Sequence, residues 1–227
     1  MRQTLLFTLV IIIALALASC TSPQPARPAE RAVRVDVDAC GAASGTTGSG
    51  VALGDGRVLT VAHTLARGSD PRVTDASGRT HDAALVAIDL VNDLALLDAP
   101  DLHIDMPPVF ALATVDTTGL IYGAAASGTV GYHVTRVVNL TTEHVLGSDQ
   151  ARRMGYELDA DTERGDSGAG VYNEADRLVG IVFAVSTDQS STWATASSVV
   201  EQFLVRAGRG SWQCDPAQSR VVDGRSA

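Results

Sequence analysis

From Arg34 onward, short β-rich runs of three to six residues recur between turn residues. A run that short spans one strand and is too brief for an ordinary helix, so the chain is restricted to architectures assembled from many short strands. The first set comprises Val35-Asp36-Val37, Gly50-Val51-Ala52-Leu53, Val58-Leu59-Thr60-Val61, Ala84-Leu85-Val86-Ala87-Ile88 and Leu94-Ala95-Leu96-Leu97. The second comprises Leu120-Ile121-Tyr122, His133 to Val138, Gly155-Tyr156-Glu157-Leu158, Gly170-Val171-Tyr172 and Leu178 to Phe183. Gly54-Asp55-Gly56 predicts a tight hairpin, because Asp-Gly tolerates the positive φ angles that such turns need. Between the sets, residues 101–118 include Pro107-Pro108, which cannot sit in a central strand and marks a linker. Closing each set into a barrel would remove the sheet edges that invite aggregation. The expectation is therefore an all-β protein with halves at 34–100 and 119–214, the second ending in a short helix. That helix is expected over Val199 to Val205, capped by Ser197-Ser198 and ended by Gly208. Residues 215–227 form a polar tail.

The N-terminus has a different character. Arg2 precedes an apolar stretch from Leu5 to Leu17, too short to be a well-anchored membrane span, and Ala18-Ser19 precede Cys20. Residues 1–19 read as an export signal. Leu17-Ala18-Ser19-Cys20 resembles the bacterial lipobox, whose cysteine is lipidated and becomes the mature N-terminus. Residues 20–33, rich in Pro, Ser and Ala, then form a tether between a lipid anchor at Cys20 and the folded part. Of the three cysteines, Cys40 and Cys214 remain, and in an oxidising compartment an even pair is expected to form one long-range disulfide. Two cysteines without clustered histidines make no zinc site, and no metal is expected. A formal charge of -9 argues against a nucleic-acid partner, which requires a concentrated basic face.

Three positions carry the chemistry. Ser167 lies in Gly165-Asp166-Ser167-Gly168-Ala169-Gly170, a glycine-bracketed turn before an apolar strand. Such a turn exposes a hydroxyl and aims successive backbone N–H groups, here those of Gly165 and Ser167, at one point where an oxyanion can form. His63 closes the run Val58 to Ala62, and imidazole titrates near neutral pH, which suits it to take the serine proton and return it to a leaving group. Asp93 opens the run Leu94 to Leu97, so its carboxylate is drawn inward and needs a partner, for which the imidazole N–H is suited. His81, His103, His133 and His144 lack this context, and Asp89 and Asp98 read as solvated turn or strand-end charges.

The order His63, Asp93, Ser167 with these flanks resembles the trypsin/chymotrypsin-like serine proteases. Thr60-Val61-Ala62-His63, Asp93-Leu94-Ala95-Leu96-Leu97 and Gly165-Asp166-Ser167-Gly168 are similar to the three motifs of that family, and the match runs from about Gly48 to Phe203. The resemblance implies two packed six-stranded antiparallel β-barrels, with His63 and Asp93 from the first, Ser167 from the second and catalysis between them. It implies a serine endopeptidase acting on protein or peptide substrates through an acyl-enzyme, with no cofactor. The short separations between the motifs look more like the bacterial Deg/Htr-type branch, here without a PDZ domain. Asp161 matches the base of the primary specificity pocket in trypsin-like enzymes, and Val182-Phe183-Ala184-Val185 resembles the strand that pairs with substrate. Gly168-Ala169-Gly170 departs from the usual Gly-Gly-Pro, and no Ile-Val-Gly-Gly activation site occurs, so Asp166 needs a partner other than a freed N-terminus: an arginine or backbone N–H groups. Two other readings compete, a catalytically silent protease fold acting as a surface-anchored binding module and an esterase with the same triad.

Overall fold

The computed structural model describes residues 26–39, 45–65, 68–143, 150–185 and 191–207, together with the strand backbones at 214–215 and 220–221. The export signal, Cys20 and Cys40 lie outside the described residues. Cys214 belongs to a two-stranded ladder, Cys214–Asp215 against Arg220–Val221, but its side chain lies outside them, as does Gly208. Among the described residues no helix is long and apolar enough to cross a membrane.

A one-turn helix, α1 (Pro28–Arg31), leads into β1 (Ala32–Ala39), where Val33, Val35 and Val37 alternate inward with the period of two that a half-buried strand requires. Each such buried valine contributes on the order of 1.5–3 kcal/mol. The first half continues through β2 (Thr46–Gly54), β3 (Arg57–Thr60), β4 (Gly68–Thr74), β5 (Thr80–Asp82), β6 (Ala84–Asp89) and β7 (Leu94–Asp98), with a one-turn helix, α2 (Ala62–Leu65), after β3. These strands form one sheet in the order β5-β4-β1-β2-β3-β7-β6. The predicted hairpin joins β2 to β3, with Asp55 at φ 49° and Gly56 at φ 70°.

The second half is a closed barrel of β8 (Thr118–Tyr122), β9 (Thr129–Glu143), β10 (Gln150–Asp159), β11 (Gly170–Asn173), β12 (Leu178–Val185) and β13 (Ser191–Ala196). All pairings within it are antiparallel. The all-β trypsin-like architecture expected from the sequence is thus observed, with one difference of detail. The first half is a seven-stranded sheet that does not close its ladder; the β4–β5 pairing extends one rung beyond β5, where the Ala83 N–H donates to the Pro71 carbonyl at 3.0 Å.

The helix near the end is α3 (Ser197–Arg206), but no serine caps it. Ala196 occupies the N-cap, and the Ser197 hydroxyl instead donates to the Ala111 carbonyl at 2.6 Å, tying the helix to the segment between the halves. That segment is not a free spacer, because Val109 and Ala111 exchange backbone hydrogen bonds with Leu178. A shared core joins the halves: Val51, Leu59, Val61, Leu94 and Leu96 from the first pack with Tyr172, Leu178, Ile181, Phe183, Val200 and Phe203 from the second.

Candidate active site

In the ladder of β3 with β7 the terminal pair is Thr60 with Ala95, so the residues just after β3 and just before β7 emerge side by side. Those are His63 and Asp93. His63 sits on α2, the one-turn helix after β3, rather than at the strand end. Asp93 adopts φ 55°, a left-handed conformation that aspartate tolerates better than most residues. The preceding turn is held by the Asp89 carboxylate, which accepts from the backbone N–H groups of Val91 and Asn92.

The result is a close pair. His63 Nδ1 lies 2.8 Å from Asp93 Oδ2, and the His63 backbone N–H donates to Asp93 Oδ1 at 2.9 Å. Both carboxylate oxygens therefore face the histidine. Asp93 is 3% exposed, whereas the His63 side chain keeps 39% of its surface open. An acceptor on Nδ1 leaves Nε2 as the ring nitrogen available to a substrate or nucleophile.

Ser167 comes from the opposite half, in the turn between β10 and β11. Within that turn Asp166 N–H donates to Glu163 O, Gly168 N–H to Val182 O and Ala169 N–H to Asp166 O. The N–H groups of Gly165 and Ser167 make no hydrogen bond among the described residues, which leaves both free for an incoming oxyanion. The turn is pressed against the first half: the Ser49 N–H donates to the Ser167 carbonyl at 2.7 Å. A Cβ on Gly168, at φ 95°, would lie 1.8 Å from the Ser49 carbonyl oxygen, so only glycine fits there. Gly48 shows where Ser167 stands relative to the histidine helix. A Cβ at that position would lie 3.0 Å from Ser167 O and 2.9 Å from Thr64 Oγ1, the residue next to His63. No hydrogen bond joins the Ser167 hydroxyl to the His63 ring among the described residues. Such contacts are often long in an unliganded site and tighten when substrate is bound.

Asp166 is fully buried and finds its partners in backbone N–H groups: Ser127 donates to Oδ1 at 3.1 Å and Glu163 to Oδ2 at 2.9 Å. Asp161 is exposed on the loop before the turn. Phe183 is buried at a bulge between Val182 and Ala184, in the shared core. His81 pairs with Asp75 and His133 with Asp116, both away from this site. Among the described residues no cluster of three or more metal-ligating side chains occurs.

Two buried polar residues of the site were missed by the sequence reading. Ser49 is completely buried, and its hydroxyl donates to the Gly165 carbonyl at 3.0 Å while accepting from the N–H groups of Ala124 and Ala125 at 3.1 and 3.3 Å. Arg153, on β10, sends Nη1 to the Asn92 carbonyl at 3.0 Å and to within 3.6 Å of Asp93 Oδ2. Burial pulls its guanidinium below the ordinary arginine value, and the Asp93 carboxylate opposes that pull. Neither residue has a sequence signature, since each is defined by what the opposite half brings to it.

Residues 48–181 match the trypsin-like peptidase domain, a stretch that contains all three motif residues. The chain belongs to the trypsin-like peptidase family. It is 28% identical over 152 residues to serine protease Rv3671c of Mycobacterium tuberculosis, covering 64% of this chain and 38% of that protein. It is 26% identical over 136 residues to serine endoprotease DegS of Haemophilus influenzae, covering 59% and 40%. The chain thus spans about two fifths of the length of these relatives. In fold it is similar to the active form of the Rv3671c protease, with a TM-score of 0.72, 24% identity and coverage of 80% of this chain and 82% of that one. It is also similar to the HtrA-type protease AlgW with a tripeptide, at TM-score 0.66, 21% identity and coverage of 79% and 60%. The trypsin-like family membership and the Deg/Htr resemblance read from the motifs are both borne out.

Proposed function

We propose that this chain is an exported serine endopeptidase that hydrolyses peptide bonds in protein or peptide substrates through His63, Asp93 and Ser167. The observation that carries the reading is the buried Asp93 carboxylate gripping His63 through Nδ1, beside a glycine turn that keeps the Gly165 and Ser167 N–H groups unengaged. In this mechanism Ser167 Oγ attacks the scissile carbonyl carbon as its proton passes to His63 Nε2. The carbonyl oxygen, now carrying the charge, accepts from Gly165 and Ser167 N–H. Collapse breaks the C–N bond, the His63 proton goes to the leaving amine, and an acyl-enzyme remains until water repeats the sequence. Family membership and the serine proteases among its relatives support the activity class.

Substrate would enter extended along β12. Its residues Ala184 and Val185 pair with β13 on one side, while the β11 ladder ends at Ile181. The other edge of Phe183 to Val185 is open among the described residues, and a peptide can add there by main-chain hydrogen bonds. Exposure of Asp161 gives a carboxylate accessible to a basic substrate residue. The N-terminal residues support export and attachment to the outer face of a membrane through lipidated Cys20; intact mass of the mature N-terminus tests this. For the activity, a fluorophosphonate should label the wild type and fail to label Ser167→Ala and His63→Ala. Folded wild-type protein that stays unlabelled would favour the silent binding module, the reading to which the missing Ser167–His63 hydrogen bond lends weight.

A further inference from the structure

The barrel of the second half does not end at its rim. Among the described residues β10 pairs with β13 only from Gly155 to Asp159, whereas its earlier residues 150–154 pair with β9 alone, at 139–143. The two long strands therefore project as an arm, which reaches the first half through Arg153. Leu140 of β9 packs on the shared core, and Arg153 of β10 turns inward over the Phe183 ring, its guanidinium carbon 4.3 Å from the ring centroid. A guanidinium on an aromatic face is fixed in plane and position. From that seat Arg153 reaches the turn that presents Asp93 by its carbonyl contact to Asn92 and its approach to Asp93 Oδ2, the same oxygen that holds His63 Nδ1.

We infer that Arg153 is a positioning residue of the triad: from the second half, it locks Asp93 in the orientation that grips His63 and limits how strongly that carboxylate favours a protonated imidazole. The inference rests on the peptidase reading for its consequences in turnover but not for its geometry. A buried carboxylate needs compensation, and here the backbone N–H of His63 and a nearby cation supply it together. Among the described residues the charged groups facing this point are few. Asp93 and His63 come from the first half, Arg153 from the arm, and Asp89, the next carboxylate, is occupied by Val91 and Asn92. A cation close to the same carboxylate oxygen opposes a second positive charge on His63. Removing it makes the imidazole easier to protonate, which starves the reaction of base on the acid side.

The test compares wild type with Arg153→Gln, Arg153→Lys and Phe183→Leu, the last keeping the arginine but removing its aromatic seat. Two quantities are measured. One is the downfield NMR resonance of the proton between His63 Nδ1 and Asp93, which needs no turnover. The other is the pH profile of kcat/KM on a peptide substrate. Arg153→Gln is expected to broaden or lose the resonance and to move the acid limb of the profile up by roughly one pH unit. Lysine should restore much of both, and Phe183→Leu should move both in the glutamine direction by less. A purely structural role for Arg153 lowers activity evenly across pH and leaves lysine no better than glutamine, which would overturn the inference. A wild type that hydrolyses nothing, yet loses the resonance in Arg153→Gln, refutes the peptidase reading and leaves the positioning role standing. Folded variants that retain the resonance refute the role whether or not the wild type is active. Should Arg153→Gln fail to fold, the lysine and Phe183→Leu variants decide by the same two readings.

Discussion

Ser49→Ala should weaken both the fold and the turnover, and by amounts that follow from what the hydroxyl touches. The residue is completely buried in the first half, and the group it serves belongs to the second. Removing Oγ leaves the Gly165 carbonyl without this donor and the Ala124 and Ala125 N–H groups without this acceptor. An unsatisfied buried polar group costs about 1–3 kcal/mol. The 3.3 Å contact to Ala125 is the weakest of the three, so the sum is about 2–4 kcal/mol rather than the maximum. Against a total stability of about 5–15 kcal/mol that loss is plain in a urea titration analysed at constant m. The catalytic consequence runs through Gly165. With its carbonyl released, the peptide planes on either side can rotate, and the N–H aimed at the oxyanion loses its fixed direction. Complete loss of one such donor costs about 10²–10³ in kcat, so a loosened donor should cost about tenfold or more with little change in KM. A Ser49→Ala protein within about 0.5 kcal/mol of wild type and turning over at the wild-type rate would refute the clamp.

Gly168→Ala should be worse than its single methyl suggests, because φ 95° and a 1.8 Å approach to the Ser49 carbonyl force the halves apart; a loss of at least about 2–3 kcal/mol and near-complete loss of fluorophosphonate labelling are expected, and a wild-type melting curve would contradict it. Asp75→Asn probes the pair made with the buried His81. Burial raises the Asp75 carboxyl, but hydrogen bonds from the Ser77 hydroxyl, the His81 ring and the Arg79 and Ser77 N–H groups outweigh it and hold the group well below the usual carboxylate range. A depressed carboxylate stabilises the fold above its unfolded value, near 4, and that stabilisation is lost as pH falls through the folded value. Wild type should therefore exceed Asp75→Asn by about 1–3 kcal/mol at pH 7, with the gap shrinking below about pH 4; a gap independent of pH would show that the charge is not involved.

What the sequence made legible follows how local each signal is. The hairpin at Asp55-Gly56 and strands such as β7 and β12 depend on neighbours in the chain, and they appear where the pattern put them. β4, β5 and β13 were not anticipated. β4 carries Asp70 and Pro71 within Gly68–Thr74, and β13 is mostly serine, threonine and alanine, so neither shows the apolar run that marks a strand. They are strands because β1 and the barrel closure supply partners for their backbone groups. Ser197 shows the same competition in miniature. Its local setting is that of a helix cap, yet its hydroxyl goes to Ala111, distant in sequence and near in space. Of the candidate site, the three motif residues were legible because their flanks are distinctive. Ser49 and Arg153 were not, because a serine between glycines and an arginine in a charged strand acquire meaning only from the opposite half.

Those two residues explain how a site split between two halves can stay in register. The shared core is apolar, and apolar contact is non-directional, so by itself it tolerates small sliding of one half over the other. Catalysis does not, since a displacement of 1 Å in the reacting groups can cost on the order of 10²-fold. Hydrogen bonds and ion pairs do carry direction. Here they cross the boundary both ways: Ser49 of the first half holds the turn that bears Ser167, and Arg153 of the second half holds the turn that bears Asp93. Each half thus fixes the functional group contributed by the other. Loosening either contact should therefore reduce turnover before it unfolds the protein, whereas trimming the apolar core between them should reduce stability first.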